Sequence, residues 1–500
     1  MYKPWGKKPA LSLSALTLLV ALSACTSSGG KKGSDFGSLD REDQGTLKVA
    51  YFDEQAFFSQ YGNAFQAMFP NVDVEVVSTE SIFQADNPEA ELEKLIQDQH
   101  PDALFLSEDQ YAALSKKGML YDLDAAVKQD KFDIDSFQPS VIDLLKQRGG
   151  GKLYGLSPTF SSQALYYNKD LFDKYGIPYP SDGMSWEDVM KLAARFPVKK
   201  GSDDPEAMMK GDDALYGLAQ SISTSNSFDL IRTIGEAKGL LYADSDTKTV
   251  SIDTPEWKSI FESVIAGYKS GSLTAPSTGG GGGMGGMIRM AGGQKAISFG
   301  PSTMRFMQGQ AAMAVDSPMI MSMMGKMAGA TVAVKKGGSG GKTADAGPRP
   351  LGQEINWDVV TVPVDPAQPD VTGSVELDNV VSISAASENL PLAWELVKYV
   401  NGEQLAKTSS KSSPTLSSRT AFKNDMGGKN VDAFYALKLN EQSLLQNLPD
   451  GFADSFGQMA DEQIQKAVAG TQSVADTIKS IQSKGQDLLT KAMNDEAAAG

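Results

Sequence analysis

The side chains able to do chemistry are scarce in two kinds and plentiful in a third: 500 residues hold one cysteine, one histidine and 62 acids. A single Cys25 cannot close an internal disulfide, and a single His100 cannot build a multi-histidine metal site. Ser–His catalysis is disfavoured as well, because the chain offers one distant histidine as general base. His100 closes the run ELEKLIQDQH just ahead of Pro101, the pattern of a solvated helix end. Gly341-Lys342-Thr343 has the ending of a phosphate-binding loop, but Lys336 stands where that loop needs glycine. Pro348 and Pro350 then break the helix that should follow, so a surface loop is expected over Lys335–Pro350. Asp244-Ser245-Asp246 opens like a calcium loop, yet Lys248, Thr249 and Pro255 replace its remaining requirements. That stretch reads as a turn between two short strands. The methionines of Met319–Met327 suit helical packing better than a soft-metal site. No metal and no cofactor is expected. A glycosidase-type carboxylate pair stays open, since spacing along the chain says nothing about separation in space.

Composition limits the partners. Acids exceed bases by 16, which argues against nucleic acid and against anionic lipid surfaces. With 41% hydrophobic and 22% charged residues the chain can bury a sizeable core, and its length calls for two lobes. The first residues differ from the rest: Lys3, Lys7 and Lys8 precede a short apolar run, Ala10–Leu22, too short to span a bilayer as a mature helix. Leu22-Ser23-Ala24-Cys25 then resembles the bacterial lipobox. The resemblance implies a signal peptide over residues 1–24, cleavage before Cys25 and a diacylglycerol on its sulfur. Residues 25–45, rich in Gly, Ser and charge, read as a flexible tether spanning about 25 Å.

From Thr46 onward strand and helix patterns alternate. TLKVAY, VDVEVV and ALFL read as strands, separated by an amphipathic helix through Phe58, Tyr61, Phe65 and Met68 and by ELEKLIQ. Such alternation predicts an α/β fold, sheets with parallel strands and helices on their faces. Ligands then bind beyond the carboxyl ends of the strands. Those ends carry Tyr51, Asp53 and Glu54, and farther on Glu108 and Asp109, although acids at such places also cap the next helix. A second series begins at ALYYN and runs through helices over Lys169–Tyr175, Ser185–Phe196 and Thr254–Tyr268. Glycine-rich insertions follow at 271–293 and 335–350, with WDVVTV and NVVSIS as further strands and a helical C-terminal part.

Four stretches resemble the extracellular solute-binding proteins of the maltose-binding type, the capture subunits of ABC importers. They are GKLYGLSP with ALYYNKDLF inside Gly151–Ala193, MQGQAAMAVDSP at Met307–Pro318, PLAWELVKYV and its following loop at Pro391–Phe422, and PDALFLSEDQYAALSKKGMLYDLD at Pro101–Asp124. The resemblance implies a two-lobed periplasmic-binding-protein-like fold hinged at a central cleft. Carried over by segment, the crossovers fall near Ser157–Gln163, Gln308–Ala312 and Glu376–Ser382. Lobe one then combines 46–162 with 311–379, and lobe two combines 163–310 with 380–500. The implied function is capture of a small solute, a sugar or oligosaccharide, by cleft closure, with delivery to permease subunits. No bond in the solute changes. The protein is expected to be a monomer on the outer face of the cell membrane. Candidate ligand-binding residues are Tyr51, Asp53, Glu54, Glu108, Asp109, Phe160, Gln163, Asp316 and Asp378: carboxylates accept hydroxyl hydrogen bonds, and an aromatic ring can cover an apolar sugar face. Trp186, Trp257, Trp357 and Trp394 sit in helix or strand patterns where core packing is the expectation. A ligand sensor for a membrane receptor and a secreted polysaccharide hydrolase are the alternatives.

Overall fold

The computed structural model describes residues 36, 39–85, 87–201, 213–221, 224, 226–274, 305–327, 331–336, 344–350, 355–411, 415–424, 426–439, 448–449 and 451–499. Lipobox residue Cys25, the glycine-rich stretch 275–304 and the Gly341-Lys342-Thr343 triplet lie outside them.

The first sheet has five strands in the order Val72–Ser78, Gly45–Tyr51, Ala103–Leu106, Val380–Ile383, Gly155–Leu156. Its first three strands run parallel, and Val380–Ile383 is antiparallel to both neighbours. The apolar runs foretell this burial: Leu47, Val49, Ala103 and Leu104 are fully enclosed. Caps fix the helices that follow. Asn87 accepts from the Ala90 amide at 3.1 Å to start Pro88–Gln99, and His100, at φ 49, ends that helix in the left-handed region.

The second sheet has the order Trp357–Thr361, Ala164–Asn168, Ala311–Asp316, Tyr216–Ala219. One face packs toward the first core; the other carries Leu165, Tyr167, Leu218, Met313 and Val360 into a second core with the helices Trp186–Ala193, Ser227–Ala237 and Pro255–Ser270. The two C-terminal helices, Phe452–Val468 and Val474–Ala499, close that core through Phe456, Ile464, Ile478 and Ile481. A third sheet of Glu376–Leu377, Thr159–Ser161 and Leu416–Ser417 lies where the chain passes between the other two.

These pairings correct the expected course of the chain. Ala311–Asp316, expected in lobe one, pairs with Ala164–Asn168 and Tyr216–Ala219 in the second sheet. Val380–Ile383, expected in lobe two, pairs with Ala103–Leu106 in the first. Residues 308–310 are therefore no crossover; they lead into a strand of the second sheet. Two of the passages run through 157–163 and back through 362–379. Ser157 ties them, its hydroxyl 2.6 Å from the Thr159 carbonyl and 2.8 Å from that of Asn379. The physical reason for the misreading is that AAMAVD and VVSI are buried on both faces, so their patterns do not say which sheet they join.

Two further expectations change. The tether docks before residue 46: Phe36 is 2% exposed, edge-on to Tyr121 at 5.3 Å and Trp394 at 5.9 Å, and its carbonyl accepts from Gln129 Nε2 at 2.6 Å. The Lys335–Pro350 loop contains strand pairing, Thr331–Lys336 against Ala344–Pro350. The Asp244 turn stands as read: its carboxylate accepts from the Asp246 and Thr247 amides at 2.8 and 3.2 Å between two short paired strands. In the methionine-rich helix Ile320, Met321 and Met323 are buried while Met319 is exposed.

Candidate functional site

One wall of the site is the helix Ser227–Ala237. Asn226 and Asp229 cap it reciprocally, the Asn226 side chain accepting from the Phe228 and Asp229 amides and Asp229 accepting from the Asn226 amide at 3.0 Å. Phe228, Ile231 and Ile234 bury one face in the second core. Gly235 is required there, because a Cβ would stand 2.1 Å from the Trp257 ring. The opposite face turns Asp229, Arg232, Thr233 and Glu236 into a cavity of about 230 Å³. Lys238 then ties the helix end to Glu187 at 2.8 Å, beside Trp186, which also lines the cavity.

The floor comes from strand ends of the second sheet: Leu218 and Ala219 close one strand, Gln220 follows it, and Val315 is the last residue but one of another. Gln220 is fixed, its Nε2 donating to the Tyr268 hydroxyl and its amide to Thr274 Oγ1, both at 2.9 Å. The remaining wall is the returning chain, Thr372–Ser374 and Glu376, facing Gln163 of the first passage. Hydroxyls join the two passages: Ser374 Oγ accepts from the Gln163 amide at 3.3 Å and lies 2.8 Å from Thr372 Oγ1. The cavity thus touches both passages and the helix wall of the second core.

Charge is unevenly distributed around it. Arg232 donates to Glu236 at 3.0 Å and lies 4.0 Å from Asp229. Burial works against the Arg232 charge, and the two carboxylates outweigh it. Glu236 is nonetheless pushed above the usual carboxylate range by burial, with Arg232 opposing. Glu376 is exposed at the cavity rim, yet it is raised too, first by desolvation from the walls around it, then by Glu108 and Asp378, with Arg232 again opposing. The backbone of Glu376 pairs with Ser161, while its side chain makes no hydrogen bond or ion pair among the described residues.

Of the residues expected from sequence, Gln163 lines the cavity. Glu108 stands behind Glu376: its carboxylate grips Arg148 at 2.6 Å and accepts from the Leu377 amide at 3.0 Å. Asp378 is half-buried between the strands, and burial raises it while the Thr159 hydroxyl opposes. Asp109 is exposed and close enough to act on Glu376. The others are elsewhere. Asp53 caps the helix Glu54–Phe57 through the Ala56 amide at 2.7 Å, and Glu54 is exposed in its first turn. Tyr51 packs edge-on to Phe105 at 4.9 Å and donates to Gln60 at 2.9 Å. Phe160 and Asp316 are each 1% exposed. Phe160 packs on Tyr435 at 5.2 Å, and Asp316 accepts from the Ser317 amide at 2.8 Å. A ring sealed in this way cannot cover a solute, which corrects the role expected of Phe160. Sequence reading missed Asp229, Gln220, Arg232, Glu236 and Glu376. The only signal was the Arg232–Glu236 spacing, which any solvated helix also shows.

Comparison with known proteins agrees with this architecture. The sugar-binding protein MalE of Xanthomonas citri superposes with a TM-score of 0.59 at 15% identity, over 89% of this chain and 98% of that one. A sugar transporter protein of Rhizobium etli in an open conformation gives 0.57 at 18% identity, over 88% and 99%. An ABC substrate-binding protein of Listeria monocytogenes in complex with cycloalternan gives 0.54 at 17%, over 90% and 100%. These likenesses show a two-lobed fold of the MalE type. A binding protein of Brucella abortus (strain 2308) is 39% identical over 71 residues, so the match spans 14% of this chain and 15% of that relative's length. The family described as bacterial extracellular solute-binding protein matches residues 60–436, and with well over half its length matched the chain belongs to that family.

Proposed function

We propose that the chain is the extracytoplasmic capture subunit of an ABC importer, and that its solute, a sugar or oligosaccharide, sits in the cavity lined by Gln163, Gln220, Arg232, Glu236 and Glu376. The observation that carries this reading is the cavity's position. It lies against both passages between the sheets, so a bound solute contacts segments that move relative to one another when the lobes close. A solute with higher affinity for the closed state shifts the population toward it. The permease reads the closed form, and the residues present bind rather than react. Carbohydrate is supported by the solved proteins of like fold, whose bound ligands include cycloalternan and maltotetraose. The lobes of this proposal follow the sheets: residues 45–156 with the segment around 376–439 form one, and 164–361 with 451–499 form the other.

Anchoring by a lipid on Cys25 is part of the same proposal, supported by the lipobox pattern. Replacing Cys25 by Ala should then release the protein into the medium, and a Cys25→Ala protein that still needs detergent refutes the anchor. Solute capture is tested by a thermal-shift screen across maltotetraose, cycloalternan, polyols and peptides, because a ligand held only by the native state raises the melting point. Small-angle scattering with the ligand found should show a smaller radius of gyration. An unchanged radius at saturation refutes closure.

A further inference from the structure

We infer that the solute taken by this cavity carries a positive charge beside its hydroxyls, an amino sugar being the fitting class. This rests on the reading of the cavity as the solute site and narrows it. Among the described residues, the charged groups lining the cavity are Asp229, Glu236, Glu376 and Arg232. One cation thus faces three carboxylates, and it is already held by Glu236 at 3.0 Å with Asp229 at 4.0 Å.

Glu376 is the surplus. It lines the cavity from the strand Glu376–Leu377, and its exposed side chain has no hydrogen bond or ion pair among the described residues. Nothing behind it supplies a counter-charge: Glu108 is engaged by Arg148 at 2.6 Å and by the Leu377 amide at 3.0 Å. Desolvation by the cavity walls, then the like charges of Glu108, Asp378 and Asp109, raise the proton affinity of Glu376 although its side chain is still exposed, and Arg232 offsets this in part. Closing the lobes around a neutral sugar would remove water from this carboxylate and leave its charge uncompensated. An ammonium group on the solute compensates it directly, and charge-assisted hydrogen bonds are the stronger kind. A second feature calls for oxygen on the same solute. Trp186 lines the cavity, is 2% exposed, and its Nε1–H has no acceptor among the described residues. A hydroxyl oxygen is the acceptor it lacks.

The test is titration calorimetry on the full chain in detergent at pH 6 with three disaccharides of one skeleton: the β-1,4 dimer of glucosamine, its N-acetylated form, and cellobiose. The amine should bind at least tenfold more tightly than either neutral form, and the gap should narrow with added salt. Glu376→Gln should bring the amine and cellobiose affinities together, whereas a merely structural fault would weaken both alike. Equal or tighter binding of a neutral form overturns the inference, as does a preference that survives in Glu376→Gln. If none of the three binds while neutral maltotetraose does, the charge inference falls and the carbohydrate reading stands. If no saccharide binds at all, both fall.

Discussion

Two groups of acids, one on the strand-end rim of the first sheet and one around the cavity, are employed differently. On the strand-end rim of the first sheet two carboxylates serve the fold, Asp53 as a helix cap and Glu108 as the holder of Arg148 and the Leu377 amide, while Glu54 and Asp109 stay exposed. On the cavity side no described residue holds the exposed Glu376 carboxylate, and Glu236 keeps a proton affinity raised by burial in spite of Arg232. The comparison teaches that an acid at a strand end is first a competitor for backbone amides. What is left over for a solute comes from the returning chain, whose strand Glu376–Leu377 leaves the Glu376 side chain without an amide to cap.

The contrast can be broken by substitution. A purely structural loss sets the upper scale: Phe36→Ala should cost about 3 kcal/mol, as truncating a buried phenylalanine does, read as a lower urea midpoint. Solute affinity should not change. Glu108→Ala should cost about 2 kcal/mol, because it strands the Arg148 guanidinium and the Leu377 amide. It should also weaken binding, since Leu377 adjoins Glu376. If Glu108→Ala unfolds at the native midpoint, the rim acids are not structural. Asp53→Ala should cost about 1 kcal/mol, the usual loss of a helix cap, with affinity unchanged. A tenfold loss of affinity there would return Asp53 to the solute site and erase the difference between the two groups.

Much of the framework was legible in the residues. Apolar runs marked the strands, and Asn168, Ser185 and Thr254 each cap the helix expected after them. His100 ends its helix where the following proline required. Sheet membership was not legible, because a strand buried on both faces shows no alternation to orient it. Phe36 escaped notice because one aromatic in a polar stretch has no periodicity. The cavity was the hardest to see: Gln163, Gln220, Arg232 and Glu376 come from four separate elements, and only the closed pairing of strands brings them together.

The smallest effect is the most specific. Desolvation by the cavity walls, together with Glu108, Asp378 and Asp109, raises the pKa of Glu376 above its ordinary 4.5, and Arg232 offsets this only in part. A carboxylate whose folded pKa is raised weakens the folded state wherever it is ionised, above that raised value. The penalty fades as pH falls through the raised pKa and is gone below 4.5, where folded and unfolded chains are both protonated. Glu376→Gln should therefore melt slightly above the unmodified, solute-free protein at pH 7, by no more than about 1 °C, because water screens an exposed carboxylate. The two melting points should converge as the pH is lowered toward 4. Asp53→Asn, made on the other group, should show no such gain at pH 7, because an amide oxygen there can still accept from the Ala56 amide. A Glu376→Gln gain of equal size at pH 7 and pH 4 would mean that shape, not charge, separates the two proteins. The carboxylate of Glu376 would then hold no unspent charge for a solute to meet.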